Sequence, residues 1–200
     1  LLGTGLVSGG ASVLNLVLER ETDALMQRTA NRPLPTGRMD PDAALLFGVA
    51  VAVAGLLVLY FAANPLTALL GVAALAGYVF VYTPLKRVSS LATIVGAVPG
   101  AIPPMMGWSA VRNEIDLAAW VLFGILFFWQ MPHFLAIAWL CKDDYREAGF
   151  PMLTTTDPEG LRTSRQVILY GAVLVPVSLM PSLLGLMGGV SFAGAHARRP

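Results

Sequence analysis

Long stretches without a single charged residue constrain this chain more than any other feature. Residues 43 to 85 contain no Asp, Glu, Lys or Arg, and the same holds for 88–111, 117–141 and 166–197. An α-helix needs about 20 apolar residues to cross the hydrocarbon core of a bilayer. The runs are far longer than the roughly ten residues of a membrane-spanning β-strand, and they do not alternate in polarity. The sequence therefore predicts an all-α, polytopic transmembrane helix bundle.

Six spans follow from this pattern. The run from 43 to 85 is long enough for two helices, and Asn64-Pro65 is the natural turn between them. Residues 1–18 are also free of charge and add a partial span. The predicted spans lie at about 1–18, 43–62, 66–82, 91–111, 117–141 and 166–189. Because the chain starts inside an apolar run and stops soon after a span, we expect residues 1–200 to form a single domain that is incomplete at both ends.

Composition supports a lipid environment and excludes several kinds of site. The chain is 56% hydrophobic and 12% charged, about half the charged fraction of an ordinary soluble domain. Its single cysteine, Cys141, excludes an internal disulfide framework. The sequence has no Gly-rich phosphate loop and no zinc-type Cys/His spacing. The net charge of +1 carries no information about partners; we expect the lipid bilayer as the environment, and no nucleic acid.

Basic residues collect in the loops that alternating spans place on one side of the membrane. These loops are 19–42, 83–90 and 142–165, and they hold most of the 13 Lys and Arg residues. Cytoplasmic loops carry an excess of Lys and Arg, so this side is predicted to face the bacterial cytoplasm or the mitochondrial matrix. The predicted location is accordingly a bacterial or mitochondrial inner membrane. Most acidic residues share these loops although they do not set topology, which indicates a polar active site there.

Residues 15 to 38 combine oxygen ligands with guanidinium groups. Asn15, Glu19 and Asp23 follow at steps of four, and on an α-helix each step turns the side chain by only about 40°. Two carboxylates and a carboxamide on one face suit a hard cation such as Mg²⁺. Natural partners of a polyanion follow in the same segment: Arg28, Arg32 and Arg38. The alternative is a solvated helix end with i, i+4 ion pairs, which the carboxamide at the membrane end disfavours.

Two further charged motifs lie on the same predicted side. The segment Lys142-Asp143-Asp144-Tyr145-Arg146-Glu147 directly follows a span. Alone it is typical of a charged stop to a span, but two facing acidic clusters can hold Mg²⁺ ions against one diphosphate and neutralise the leaving group. The other motif ends in Lys86 and Arg87, which either bind phosphate oxygens or anchor the topology.

One histidine lies inside a predicted span. His133 is about eight residues, or roughly 12 Å, from the end of the 117–141 run, and a histidine within the membrane indicates a functional role by default. On an unbroken helix it lies within about 20° of Asp144, so that both face one cavity, although Pro132 is able to bend the helix. The alternative is a hydrogen bond to a neighbouring helix.

These motifs resemble those of the UbiA-type intramembrane prenyltransferases. The motif Asn15-x-x-x-Glu19-x-x-x-Asp23 is similar to one found throughout that superfamily. Three narrower segments resemble its haem-farnesylating branch: Pro103-Pro104-x-x-Gly107-Trp108, Trp129-Gln130-x-Pro132-His133-Phe134 and Asp143-Asp144-Tyr145. The resemblance runs from the first residue to about residue 185. It implies a bundle of nine transmembrane helices around a central cavity, of which this chain holds about six, helices two to seven.

The resemblance implies a Mg²⁺-dependent transfer of the farnesyl group of farnesyl diphosphate to a vinyl group of haem b, giving haem O for terminal oxidases. It assigns metal binding and catalysis to Asn15, Glu19, Asp23, Asp143 and Asp144. It assigns the diphosphate to Arg28, Arg32, Lys86 and Arg87. His133 stands where quinone-directed relatives have an acidic residue, so we hypothesise that it contacts haem. Glu19 departs from the usual Asp, but it offers the same kind of oxygen ligand.

Two other functions stay open at this point. A prenyltransferase for an aromatic quinone precursor is the nearer one, and the segment from Trp129 to Phe134 argues against it. A membrane transporter is the other, and it predicts polar residues deep in several spans. Only Asn64, Gln130 and His133 interrupt the spans here. Haem A synthase and oxidase assembly proteins are the partners that a haem-directed enzyme implies.

Overall fold

A computed structural model describes residues 1–186, and within them the chain is helical, as predicted. Five helices are long and apolar enough to cross a membrane: Pro41–Ala62, Pro65–Leu85, Ala92–Arg112, Leu117–Leu140 and Leu161–Leu183. The first predicted span corresponds to a shorter apolar helix of 17 residues, Leu2–Leu18. Within residues 1–186, apolar helices therefore lie at about the six predicted positions, and five of them are long enough to cross a membrane.

Short helices and turns connect or interrupt the long ones. In chain order the elements are α1 (Leu2–Leu18), α2 (Arg20–Asp23), α3 (Pro41–Ala62), α4 (Pro65–Ala76), a π-helical turn (Gly77–Tyr82), α5 (Thr83–Leu85), α6 (Ala92–Arg112), α7 (Leu117–Leu140), α8 (Lys142–Glu147), a 3₁₀ turn (Leu153–Thr155) and α9 (Leu161–Leu183).

Polar side chains fix where several spans begin. Asp40 caps α3, its carboxylate accepting the Ala43 amide at 3.0 Å, and Asp116 caps α7 in the same way. Asn64 caps α4 through the Thr67 amide at 2.8 Å, with Pro65 at the first helical position. Such caps satisfy amides that the helix itself leaves free. The turn predicted at Asn64-Pro65 is thereby confirmed.

The last helix begins earlier than the charge pattern predicts. The span was expected to start at residue 166, after the last charge, but α9 already begins at Leu161. Asp157 accounts for this because it accepts both the amide and the hydroxyl of Thr163, at 2.8 and 3.0 Å. The Thr163 amide holds the pKa of Asp157 below its usual range, an effect that burial opposes. The end of the predicted 166–189 span lies outside the described residues.

The helices pack through small residues and a short row of apolar side chains. α1 lies along α3, and a methyl group added at Gly10 would meet the Ala52 amide nitrogen at 2.7 Å. At Gly55 it would meet the Val7 nitrogen at the same distance. Small residues allow this close backbone approach between membrane helices. Further contacts join α3 to α4, α4 to α6, α6 to α7 and α7 to α9. The resulting core contains Val7, Leu59, Ala68, Ile102 and Met106.

Candidate active site

The first acidic motif lies at an interruption of the helix. α1 ends at Leu18, and Glu19 has φ −97° and ψ 5° before α2 begins. The prediction of one continuous helical face is wrong at this point. The spacing nevertheless survives, because the Glu19 amide donates to the Asn15 carbonyl and the Asp23 amide to the Glu19 carbonyl, at 2.9 and 2.7 Å. All three side chains are buried.

Asn15 and Glu19 share one hydrogen-bonded network with the segment that follows the π-helical turn. Lys86 Nζ lies 2.9 and 3.0 Å from the two carboxylate oxygens of Glu19. Asn15 Nδ2 donates to Glu19 Oε2 at 2.9 Å, while Thr83 Oγ1 donates to Asn15 Oδ1 at 2.9 Å. Both carboxylate oxygens and both ends of the carboxamide are thus satisfied inside the bundle. Lys86, predicted as a phosphate ligand, here pairs with Glu19, and its role toward phosphate stays a prediction. The contact of Thr83 with Asn15 was not predicted.

Asp23 forms a second ion pair. Its Oδ2 accepts from Arg32 Nη1 at 2.8 Å, and its backbone carbonyl accepts from the buried Thr29 hydroxyl. The pair borders an otherwise apolar groove of about 460 Å³ between α1, α3 and the loop that joins α2 to α3. Asp23 therefore has a cationic partner of its own, distinct from the Lys86 that neutralises Glu19.

Two tyrosines of the π-helical turn lie beside Lys86. The rings of Tyr78 and Tyr82 are 5.4 Å apart, and Lys86 Nζ lies 4.8 Å from the centre of the Tyr82 ring. Gly96 of α6 makes room for Tyr82, because an added methyl group would lie 2.4 Å from that ring. A cation over an aromatic face is stabilised, so Tyr82 helps to hold Lys86.

The remaining predicted basic residues are turned away from the buried carboxylates. Arg87 Nη2 donates to the Leu18 carbonyl at 2.9 Å and so closes the end of α1. Arg38 is exposed and bonds to the Asn31 carbonyl and to Thr36. Arg28 is also exposed. Among the four predicted diphosphate ligands, Lys86 and Arg32 meet the acidic residues directly, whereas Arg28 and Arg87 do not.

The second acidic motif forms the short helix α8 and is more open. Asp143 pairs with Arg146 at 2.8 Å, and its side chain is 74% exposed. Asp144 is half-buried. Tyr145, the next residue, packs against an apolar cluster that contains Met26, three residues after Asp23. The two acidic motifs therefore lie toward the same end of the bundle.

The oxygen donors suit Mg²⁺, but they are already engaged. Carboxylate and carboxamide oxygens are the ligands that Mg²⁺ prefers, and Asn15, Glu19 and Asp23 supply them from one segment. Within residues 1–186, no group of three or more His, Cys, Asp or Glu side chains converges on one point. A cation would have to take over positions that Lys86 and Arg32 hold in this structure.

His133 lies on the exposed side of α7. Its imidazole stacks on Trp129 with ring centres 4.8 Å apart and lies 5.5 Å from the Phe134 ring. The unbroken helix that was assumed in relating His133 to Asp144 is wrong, because α7 ends at Leu140 and Cys141 has φ −103° and ψ 20°. The calculated angle therefore does not apply, and a shared cavity stays a prediction.

An apolar cavity of about 300 Å³ lies beside the buried polar network. Its walls come from α1, α4, the π-helical turn and α6, and they include Ser8, Ser12, Tyr78, Pro99 and Gly100. Tyr78 links the cavity to the network, since its carbonyl lies 2.9 Å from the Thr83 hydroxyl. The cavity is thus lined mainly by apolar side chains and adjoins the polar network at Tyr78.

Gln130 links α7 to α6 at the wall of this cavity. It is buried, and its Nε2 donates to the carbonyls of Leu126 and Ala97 at 3.1 and 3.4 Å. Its Oε1 occupies the space over Gly100, where an added methyl group would lie at 2.2 Å. The polar residue that interrupts the predicted span therefore joins α7 to α6.

Comparisons with known proteins agree with the motifs. A model of the UbiA prenyltransferase family matches residues 1–197. The chain is 49% identical over 195 residues to the protoheme IX farnesyltransferase of Solibacter usitatus, covering 98% of this chain and 67% of that protein. The enzymes of that name from Myxococcus xanthus and Koribacter versatilis are 50% and 45% identical over 98% of this chain, which spans 66% and 63% of their lengths. The chain thus spans about two thirds of these relatives. No solved structure shows a significant match.

Proposed function

Because the chain belongs to the UbiA prenyltransferase family, we propose that it transfers the farnesyl group of farnesyl diphosphate to a vinyl group of haem b, forming haem O. Its named relatives are protoheme IX farnesyltransferases. The observation that carries the proposal is an apolar cavity that adjoins the buried Asn15–Glu19–Lys86 network, to which its lining residue Tyr78 is joined through Thr83. This shape fits a substrate with a hydrocarbon tail and an anionic head.

The cavity receives the isoprenoid chain. Ligand pockets commonly measure about 300 to 1,000 Å³ and are mostly apolar with a few placed polar groups. The cavity beside Tyr78 lies at the lower end of that range, at about 300 Å³. Its walls exclude water from the allylic carbon, which protects a farnesyl cation from premature hydrolysis.

The polar network receives the diphosphate. Lys86 belongs to this network and Arg32 pairs with Asp23 of the same acidic motif, so each cation now neutralises one carboxylate. On substrate binding they exchange the carboxylates for phosphate oxygens, to which Arg and Lys bind strongly. Arg28 and Arg87 lie in the same two segments and provide further positive charge around the head group. The pyrophosphate leaves with the electrons of the broken C–O bond, and its charge is stabilised where the cations are fixed.

The carboxylates released by this exchange would be free to hold Mg²⁺. Asn15, Glu19 and Asp23 supply oxygen donors from one motif, and Asp143 and Asp144 supply those of the other. Mg²⁺ at such a site neutralises the developing charge of the leaving pyrophosphate. In this arrangement each of the buried carboxylates of Glu19 and Asp23 has a positive partner throughout. The partner is Lys86 or Arg32 before substrate binds and Mg²⁺ afterwards.

The acceptor side follows from the chemistry of a vinyl group. The farnesyl carbon bonds to the terminal vinyl carbon of haem b, and water then adds to the neighbouring carbon and loses a proton. We assign the haem to the face of α7 that carries Trp129, His133 and Phe134, where the imidazole stacks on the Trp129 ring and the Phe134 ring lies beside it at an angle of 54°. Replacement of His133 by Ala should weaken haem binding and turnover; unchanged values for both would remove His133 from the site.

The location and partners belong to the same proposal. The chain acts in a bacterial inner membrane or its mitochondrial equivalent, with the acidic motifs on the cytoplasmic or matrix side. Haem A synthase or proteins of oxidase assembly receive the product. These statements rest on the proposed reaction and on the distribution of Lys and Arg among the loops.

Product analysis in cells tests the function. The full-length protein is co-expressed with a haem supply, the haem is extracted, and haem O is measured against membranes without the protein. Asp23→Ala should abolish haem O while the protein stays in the membrane. Glu21→Ala is the matched control, because Glu21 is exposed in the same short helix. Full haem O formation by Asp23→Ala would overturn the assignment of the first motif.

An acceptor competition tests the haem assignment separately. Purified protein receives radiolabelled farnesyl diphosphate with either haem b or an aromatic quinone precursor. Label should appear in the haem alone. Label in the aromatic ring alone would keep the prenyltransferase reaction and exclude the haem acceptor.

A further inference from the structure

Thr83 has a hydroxyl group with two possible acceptors and only one proton. Its Oγ1 lies 2.9 Å from Asn15 Oδ1 and 2.9 Å from the Tyr78 carbonyl oxygen. A threonine hydroxyl donates one hydrogen bond and accepts two, so it can serve only one of these acceptors at a time. The side chain is buried, with 3% of its surface exposed.

The surroundings decide which acceptor is served in this structure. Asn15 Nδ2 faces Glu19 Oε2, which as a carboxylate oxygen only accepts. Asn15 Oδ1 must therefore point the other way, toward Thr83, and it needs a donor there. The hydroxyl proton goes to Asn15, and the Tyr78 carbonyl is left with the Thr83 backbone amide as its donor.

The π-helical turn is the reason that a spare acceptor lies within reach. In this turn the Thr83 amide bonds to Tyr78, five residues earlier, instead of to the residue four earlier as in an α-helix. The same shift places the Tyr78 carbonyl beside the Thr83 hydroxyl. Single π-helical turns within α-helices occur often at functional sites.

We propose that Thr83 is a positioning residue that holds the Asn15 carboxamide in either of two orientations, one with its nitrogen and one with its oxygen turned to Glu19. In the first orientation, seen here, Thr83 donates to Asn15 Oδ1. In the second, Asn15 Nδ2 donates to Thr83 Oγ1, and the hydroxyl proton passes to the Tyr78 carbonyl. In the second orientation Thr83 Oγ1, the Tyr78 carbonyl and Asn15 Nδ2 keep hydrogen-bond partners, and Glu19 Oε2 keeps Lys86. Asn15 Oδ1 alone gives up its donor, so this orientation is stable only when a cation takes the place of that donor.

The second orientation is the one that a cation requires. A carboxamide binds a hard cation through its oxygen, so Asn15 must turn Oδ1 toward the side on which Glu19 lies. This inference rests on the proposed function for its purpose, since the cation is the Mg²⁺ of the diphosphate site. It does not depend on which acceptor is farnesylated.

Binding of Mn²⁺ alone to the full-length protein, without substrate, tests the positioning role. Thr83→Val keeps the size of the side chain but can neither donate nor accept, whereas Thr83→Ser keeps the hydroxyl. Residues that orient a metal ligand commonly change metal affinity tenfold or more. We expect Thr83→Val to weaken Mn²⁺ binding about tenfold and Thr83→Ser to leave it within about twofold.

A double-mutant cycle separates positioning from a general loss of structure. In an Asn15→Ala background, Thr83→Val should cause no further loss of Mn²⁺ affinity, because Thr83 acts only through Asn15. The proposal would be overturned if the double variant lost Mn²⁺ affinity by the product of the two single losses. It would also be overturned if Thr83→Val bound Mn²⁺ as tightly as the wild type. Haem O formation by the wild type is scored in parallel. Its absence would refute the proposed function, while the Mn²⁺ result would still decide the role of Thr83.

Discussion

Lys86 Nζ lies between the two carboxylate oxygens of Glu19, at 2.9 and 3.0 Å, although 67 residues separate them in the chain. The pair joins the end of α1 to the end of the third span. Both side chains are largely shielded, with 18% of Lys86 and 6% of Glu19 exposed. An ion pair in such a place depends on both partners, because an isolated charge in an apolar interior is strongly disfavoured.

Removal of Lys86 should therefore destabilise the folded protein. Lys86→Met leaves Glu19 buried without its cation, and breaking a buried pair costs about 3–5 kcal/mol. Lys86→Met combined with Glu19→Gln should recover most of that loss, since neither charge then remains. Thermal unfolding in detergent measures both effects.

The matched control is Arg146→Met in α8. Its ion pair with Asp143 is similarly short, 2.8 Å against 2.9 Å for Lys86 and Glu19, but both partners are more than half exposed. Exposed ion pairs contribute about 0–1 kcal/mol to stability, so Arg146→Met should hardly change the midpoint temperature of thermal unfolding. Equal losses for Lys86→Met and Arg146→Met would contradict the difference in burial.

The apolar spans were predictable because each one corresponds to a continuous stretch of sequence without charged residues. The run from 43 to 85 contains no charge, and Asn64-Pro65 divides it where the structure does. The start of α9 was not predictable from the same rule. It depends on Asp157, whose carboxylate accepts the Thr163 amide six residues later, within the first turn of α9. This contact stabilises the start of the helix, so that its first turns include charged residues.

The candidate site was only partly predictable for a related reason. Glu19 and Asp23 stand out by type and spacing, and Lys86 stands out by its charge. Thr83 gives no such signal, because its role depends on Asn15, 68 residues away, and on a π-helical turn. Its one sequence mark is a hydroxyl residue three positions before a lysine at the end of a charge-free run.

Gly100 should tolerate no side chain. An added methyl group would lie 2.2 Å from Gln130 Oε1, so Gly100→Ala must move the buried carboxamide away from its hydrogen bonds to the Ala97 and Leu126 carbonyls. Overpacking of this kind costs about 1–3 kcal/mol. Gly107→Ala in the same helix is the control, since an added methyl group there has nothing within 4 Å. The midpoint temperature of thermal unfolding should fall for Gly100→Ala and not for Gly107→Ala. An equal fall for both variants would exclude the Gln130 contact as the cause.

Removal of divalent cations should stop the proposed reaction. A chelator is expected to abolish pyrophosphate release from farnesyl diphosphate, and added Mg²⁺ should restore it. Glu19→Gln keeps one oxygen donor but loses the charge, so it should need about tenfold or more Mg²⁺ for half-maximal rate. Glu21→Gln is exposed and should behave as wild type. Undiminished release in the presence of chelator would refute metal dependence.

The start of α9 should loosen in acid because of Asp157. Its pKa in the folded protein lies below 3.8, held down chiefly by the Thr163 amide. A carboxylate with a lowered pKa stabilises the fold above its unfolded value, and that contribution disappears as the pH falls through the folded value. Hydrogen exchange of residues 157–165 should therefore accelerate below about pH 3.8 in the wild type and less so in Asp157→Asn. Glu159→Gln, at an exposed neighbour, should show the same acceleration of hydrogen exchange in acid as the wild type. The same acceleration in Asp157→Asn would show that another group controls the loosening of α9.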